Sequence, residues 1–259
     1  MLTAHALSHI GRVRKTNEDA FLSDLELGLF CVADGMGGHN AGEVASHLAL
    51  EVIHEFLLNT IVHDASTWPF GLDARLSFDA NRLATAVRLA NRQVFREAET
   101  RDEYSGMGTT VVAALVRGAV VTYVCVGDSR IYSFNDGRLT QLTRDDSWVD
   151  TVLGHERGAA DASLARHPMR HVLTNSVGVR EELVVDVAER ELAPGELLLF
   201  SSDGLHGLID DAVIAGVLRA NRSLEAAARC LIQAALDRGG TDNLTALLVR
   251  RDSDDETAH

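Results

Sequence analysis

Four apolar runs in this chain lead into or follow an acid set among small residues. Phe30-Cys31-Val32-Ala33 runs into Asp34-Gly35-Met36-Gly37-Gly38-His39. Tyr123-Val124-Cys125-Val126 runs into Gly127-Asp128-Ser129, and Leu197-Leu198-Leu199-Phe200 into Ser201-Ser202-Asp203-Gly204. Gly239-Gly240-Thr241-Asp242-Asn243 precedes the apolar 244–249, and Arg14-Lys15-Thr16-Asn17-Glu18-Asp19 adds two more acids and a cation. Apolar runs of this length read as buried strands, and the glycines let the backbone bend and approach closely. A lone strand-end Asp-Gly is usually a turn. Asn135-Asp136-Gly137, between 131–134 and 139–142, reads as that ordinary hairpin. Recurrence changes the reading. Carboxylates gathered at the ends of buried strands repel one another and are costly to desolvate. Cations neutralise them, and hard divalent ions prefer all-oxygen sites.

The chain has 259 residues, enough for one large domain or two small ones, and no linker-like shift in composition divides it. One domain over 1–251 is expected, followed by an acidic, disordered tail at 252–259. Acids exceed bases by 38 − 24 = 14, which argues against a nucleic-acid or anionic-membrane partner. A solubilising surface accounts for most of that excess. Cys31, Cys125 and Cys230 are far apart and form neither a zinc pair nor a disulfide framework, so a reducing cytoplasm is expected. No run reaches membrane-spanning length, and the start is not patterned as a signal peptide.

The patterning predicts strands over 3–9, 20–23 and 27–33, then a helix from Gly38 to about residue 58. A second helix over 79–98 follows an irregular loop, and the two helices should lie antiparallel on a sheet. Runs at 111–116, 119–126, 130–134 and 139–142 read as an antiparallel meander. Residues 143–172 change character, and a segment this long on a compact domain is often a functional flap. His167 and His171 have helical ligand spacing, but Pro168 between them and the lack of a third ligand argue against a metal there. Strands at 183–187 and 196–200, helices at 210–220 and 223–238, and a last strand at 244–249 complete the chain.

Taken in order, Arg14-x-x-Asn17-Glu18-Asp19, Asp34-Gly35-Met36-Gly37-Gly38, Gly106-Met107-Gly108-Thr109-Thr110, Gly127-Asp128-Ser129-Arg130, Ser202-Asp203-Gly204-Leu205 and Asp242-Asn243 resemble the metal-dependent serine/threonine protein phosphatases of the 2C type, in their compact bacterial form. The resemblance covers nearly the whole chain. It implies an α+β fold, an antiparallel β-sandwich with a helix layer on each outer face. It implies that Asp34 bridges two Mn²⁺ or Mg²⁺ ions, that the Gly35 carbonyl binds one, and that Asp203 and Asp242 ligate the other. Glu18 and Asp19 would act at or just outside the metal shell through waters. Asp128, with Asp203, matches the place where bacterial members hold a third, weaker ion. Arg14 would grip the substrate phosphate, and 148–170 would form the flap. The substrates implied are proteins carrying phosphoserine or phosphothreonine, in opposition to a bacterial serine/threonine kinase. A cytoplasmic monomer is expected. Eukaryotic members often place a histidine, a proposed general acid, two residues after the bridging aspartate. Met36 stands there in this chain, and His39 lies three beyond it, so the general acid stays open.

The residue types suit that chemistry on their own terms. A phosphomonoester dianion resists anionic attack; two divalent ions about 3.5–4 Å apart acidify a shared water and offset the phosphate charge. Arginine offers a planar fork for two phosphate oxygens. A catalytically inactive phosphoprotein-binding module is disfavoured because all the core acids are present. A two-metal nuclease or phosphodiesterase is disfavoured by the acidic balance.

Overall fold

The computed structural model describes residues 1–38, 41–62, 68–149, 151, 169 and 172–252. In chain order its elements are β1 (Leu2–His9), β2 (Asp19–Asp24), β3 (Leu29–Met36), α1 (Ala41–Val62), α2 (Phe78–Thr100), a short 3₁₀ turn (Asp102–Tyr104), β4 (Gly108–Thr109), β5 (Val111–Arg117), β6 (Val120–Val126), β7 (Arg130–Asn135), β8 (Arg138–Gln141), β9 (Asp186–Glu191), β10 (Leu197–Ser201), α3 (Asp203–His206), α4 (Asp211–Ala220), α5 (Leu224–Asp237) and β11 (Leu244–Arg251).

Two antiparallel sheets result. One runs β1-β11-β10-β7-β8; the other runs β2-β3-β5-β6-β9, with β4 paired to β3. Alternation along the strands sorts side chains into layers. In β3, Leu29, Cys31 and Ala33 join the cluster under α1 and α2, while Phe30 and Val32 face the other sheet. In β5, Val111, Ala113 and Leu115 go outward and Val112, Ala114 and Val116 inward. In β11, Leu244, Ala246 and Leu248 meet α5 and its neighbours, while Leu247 and Val249 fill the gap between sheets. The central strands β3, β5 and β10 are largely apolar on both faces because both faces are covered. This is the expected β-sandwich between two helix layers, α1/α2 on one side and α4/α5 on the other.

Several local expectations need correcting. The third strand does not stop at Ala33. It carries Asp34, Gly35 and Met36 in β3, because β4 pairs with Gly35 and Met36 there. The meander is not one sheet: β5 and β6 lie in one, β7 and β8 in the other. The Gly127-Asp128-Ser129 turn is therefore the crossover between sheets. The strand expected at 183–187 lies instead at Asp186–Glu191; only Val187 and Arg190 of this edge strand are even partly buried, so it is charged rather than apolar. The Asn135-Asp136-Gly137 control is an ordinary hairpin turn, with Asp136 at φ 49° and Gly137 at φ 77°. His39, His167, Pro168, His171, nearly all of the expected flap and residues 253–259 of the expected tail lie outside the described residues. Asp252 is described, and its N–H donates to the Met1 carbonyl at 2.9 Å.

Candidate metal centre

The alternation that sends Phe30 and Val32 between the sheets sends Asp34 the same way. β2 pairs with β3 so that Asp19 stands opposite Asp34. From the other sheet, α3 begins with Asp203, two residues past the end of β10 at Ser201, and Asp242 lies two residues before β11 starts at Leu244. The crossover brings Asp128 to the same end. Arg14, Glu18, Asp34, Gly35, Asp128, Asp203 and Asp242 line one cleft of about 410 Å³, with Met36, Thr110, Leu173 and Asn243 in its wall. Asp19 sits behind them, 4% exposed.

Close packing holds these segments in place. A Cβ on Gly35 would fall 2.0 Å from the Gly42 carbonyl oxygen, so glycine alone lets α1 start against β3. The Gly35 N–H donates to the Glu18 carbonyl at 3.1 Å, and the Ser46 hydroxyl donates to the same carbonyl at 2.7 Å. The Asp34 N–H donates to the Thr110 hydroxyl at 3.0 Å, while Thr110 N–H and Thr109 Oγ1 both donate to the Asp34 carbonyl at 2.9 Å. Thr110 Oγ1 lies 2.7 Å from Ser129 Oγ, which ties Asp34 to the crossover. Asn243 receives the Glu18 N–H at 2.8 Å and donates to the Ile10 and Thr16 carbonyls at 3.0 Å each. That side chain fixes the loop bearing Arg14 and Glu18. Arg14 donates to Asp242 Oδ2 at 2.7 Å with about half of its side chain exposed.

Burial and mutual repulsion raise the carboxyls. Asp34 is pushed well above the usual carboxylate range, first by desolvation and then by Asp19, Asp203, Asp128 and Asp242. Asp19 is pushed up to about 7 by desolvation, against the opposing hydrogen bonds from Thr245 and Ser202. Asp128 is pushed up to about 7 by desolvation and by Asp203. Glu18 is raised by burial. Such a cluster calls for a cation. Asp19 Oδ2 accepts from Thr245 Oγ1 at 2.6 Å and Ser202 Oγ at 2.7 Å, but its buried Oδ1 has no hydrogen-bond partner. An orphaned buried carboxylate oxygen beside an all-oxygen cleft fits a hard divalent ion and its waters. As the side chains stand, no group of three or more His, Cys, Asp or Glu among the described residues is drawn tightly enough around one point to hold a metal.

The structure thus brings every sequence-predicted site residue to one end of the sandwich, Asp19 as a buried support and the others in the cleft wall. Sequence reasoning assigned no role to Asn243, Thr110, Ser129, Ser202 or Thr245. The first four sit inside the quoted motifs; Thr245 is two residues past Asp242-Asn243 and carried no signal. Leu173 also carried none.

The protein phosphatase 2C family matches residues 8–248. The serine/threonine phosphatase stp of Listeria welshimeri is 33% identical over 248 residues, 93% of this chain and 92% of its own. A crystal structure of the Mycobacterium tuberculosis serine/threonine phosphatase PstP/Ppp superposes with a TM-score of 0.83 at 32% identity, covering 97% of this chain and 99% of that one. The catalytic domain of PstP in complex with two manganese ions superposes with a TM-score of 0.80, also at 32% identity, over 97% and 99% of the two chains. The sandwich and these likenesses together define a metal-dependent serine/threonine protein phosphatase. The chain belongs to the protein phosphatase 2C family. No helix among the described residues is long and apolar enough to cross a membrane.

Proposed function

We propose that Asp34, the Gly35 carbonyl, Asp203 and Asp242 hold two divalent ions, Mn²⁺ or Mg²⁺, and that Asp128 with Asp203 holds a third, weaker one. The observation that carries this reading is the convergence of acids from five distant segments on one cleft that also contains Arg14. Bound there, the ions would acidify a shared water and offset the phosphate's negative charge.

The chain's own residues do the rest. Arg14 sits at the cleft wall with its guanidinium half exposed and one amino group on Asp242, leaving other N–H groups to orient phosphate oxygens. Glu18 and Asp19 support the site from beside and behind, where waters link them to it. Met36 shapes the wall and carries no proton. Gly35 and Gly42 keep the floor narrow.

The substrates are phosphoserine and phosphothreonine proteins, and the activity opposes a serine/threonine kinase. Residues 1–251 act as one catalytic domain, as a monomer in the cytoplasm. Among the described residues that line the acid-rich cleft, Arg14 is the one base, which favours a phosphoprotein over a nucleic acid. The test is phosphate release from a phosphothreonine peptide with Mn²⁺ or with chelator, run beside DNA. Metal-dependent release from the peptide with intact DNA supports the reading. Release that is indifferent to chelator, or nucleolysis, overturns it.

A further inference from the structure

Asn91 of α2 is buried, and its amide holds one loop in place. Its Oδ1 accepts the Gly178 N–H at 2.7 Å, and its Nδ2 donates to the Arg180 and Glu181 carbonyls at 3.0 Å each. Gly178 takes φ 89°, and a Cβ there would fall 2.2 Å from Val94 Cγ1, so the loop lies against α2 with no room for a side chain. On its other flank, Val177 and Thr109 exchange two backbone hydrogen bonds of 2.9 Å. Thr109 belongs to β4, which pairs in turn with Gly35 and Met36 of β3. These bonds fix the backbone on both sides of Val179, yet its side chain stands 47% exposed.

That valine stands beside the cleft. A Cβ on Gly108 would fall 2.7 Å from Val179 Cγ2 and 2.9 Å from Met36 Cε, so the two side chains share the space over Gly108. Met36 and Leu173 line the cleft, whose other described lining residues are charged, polar or glycine. A single exposed apolar residue is ordinary. One held on a pinned loop, and continuous with the apolar part of a charged cleft, is a contact surface organised before the ligand arrives. We propose that Val179 and Met36 form an apolar shelf that receives a hydrophobic side chain next to the phosphoresidue, and so select substrates with an apolar neighbour at that position. This rests on the reading of the cleft as a phosphoprotein phosphatase site. A polypeptide whose phosphate enters the cleft runs out over its rim. There an apolar side chain gains by leaving water, whereas a polar one loses its hydration without a partner.

The test is kcat/KM with Mn²⁺ for wild type, Val179→Asp and Val179→Ser on a family of phosphothreonine peptides. The peptides place leucine, glutamine or lysine, one at a time, at the two positions before and the two after the phosphothreonine. Ratios between peptides on one enzyme cancel any change in overall activity. At one of these positions the wild type should favour leucine over glutamine about fivefold or more. Val179→Asp should bring that ratio to about one or below and favour lysine over leucine, because the shelf then carries a charge. Val179→Ser should lower the leucine-to-glutamine ratio about threefold, and it carries the contrast should the aspartate variant fail to fold. A merely structural Val179 would scale all peptides together and leave the ratios at their wild-type values, which overturns the proposal. So does a wild type that favours leucine at none of the positions. Release from none of the peptides with Mn²⁺ present overturns the phosphatase reading itself, and the proposal with it.

Discussion

Asp19 and Asp34 stand directly opposite each other across the β2–β3 pair, both turned into the space between the sheets. Like charges at paired positions destabilise a sheet, and these two are buried as well. Replacing Asp34 with asparagine removes a buried charge that four other acids oppose. Asp34→Asn should therefore abolish phosphate release while making the chelated protein more stable at pH 7.5, by about 1–3 kcal/mol in urea unfolding. A variant that is both active and no more stable would contradict the placement of Asp34.

Acidity should act on the chelated protein in the direction these carboxyls dictate. Asp19 and Asp128 sit at about 7 in the folded state, against an ordinary value of 3.8. Between those values the folded protein holds protons that the unfolded chain has released, so stability falls as pH rises. Buried His206, held well below its ordinary 6.5, opposes this, since it loses stability as pH falls. Two or more carboxyls outweigh one imidazole. The chelated protein should melt at a higher temperature at pH 5.5 than at pH 7.5, and Mn²⁺ should raise the melting temperature at pH 7.5. A chelated protein more stable at pH 7.5 would contradict the clustering.

Much of this was legible in the sequence because both sheet faces are covered. Strands such as 111–116 and 197–200 then read as unbroken apolar runs, and acids at their ends stand out. Periodicity could not show which strands share a sheet. The runs at 119–126 and 130–134 look like hairpin partners, yet the Gly127-Asp128-Ser129 turn carries the chain between sheets. The charged edge strand Asp186–Glu191 had no apolar signal to find. Thr245, whose hydroxyl donates to Asp19 at 2.6 Å, sits 226 residues away from it, a contact that no local pattern announces.

Arg14 reaches Asp242 from the far end of the chain and keeps donors facing the cleft. Arg14→Ala should raise KM for a phosphothreonine peptide about tenfold while changing kcat much less, because a charge-assisted contact made in ground and transition states alike is lost. An unchanged KM would count against the phosphate role.

Asn243 satisfies one backbone donor and two backbone acceptors on the 10–18 segment. Asn243→Ala leaves all three without that partner, at a cost of about 2–4 kcal/mol in unfolding free energy. KM should rise with it, since the loop bearing Arg14 loosens. A variant as stable as wild type would show that the segment is held by other means.

In the proposed function, Asp34, Asp203 and Asp242 surround a pair of divalent ions. Anomalous diffraction at the manganese edge, from crystals grown with Mn²⁺, reads this directly. Two peaks in the cleft, with Asp34 between them, are the expected result. Manganese found only elsewhere on the molecule, in crystals that hold the ion, would contradict the account.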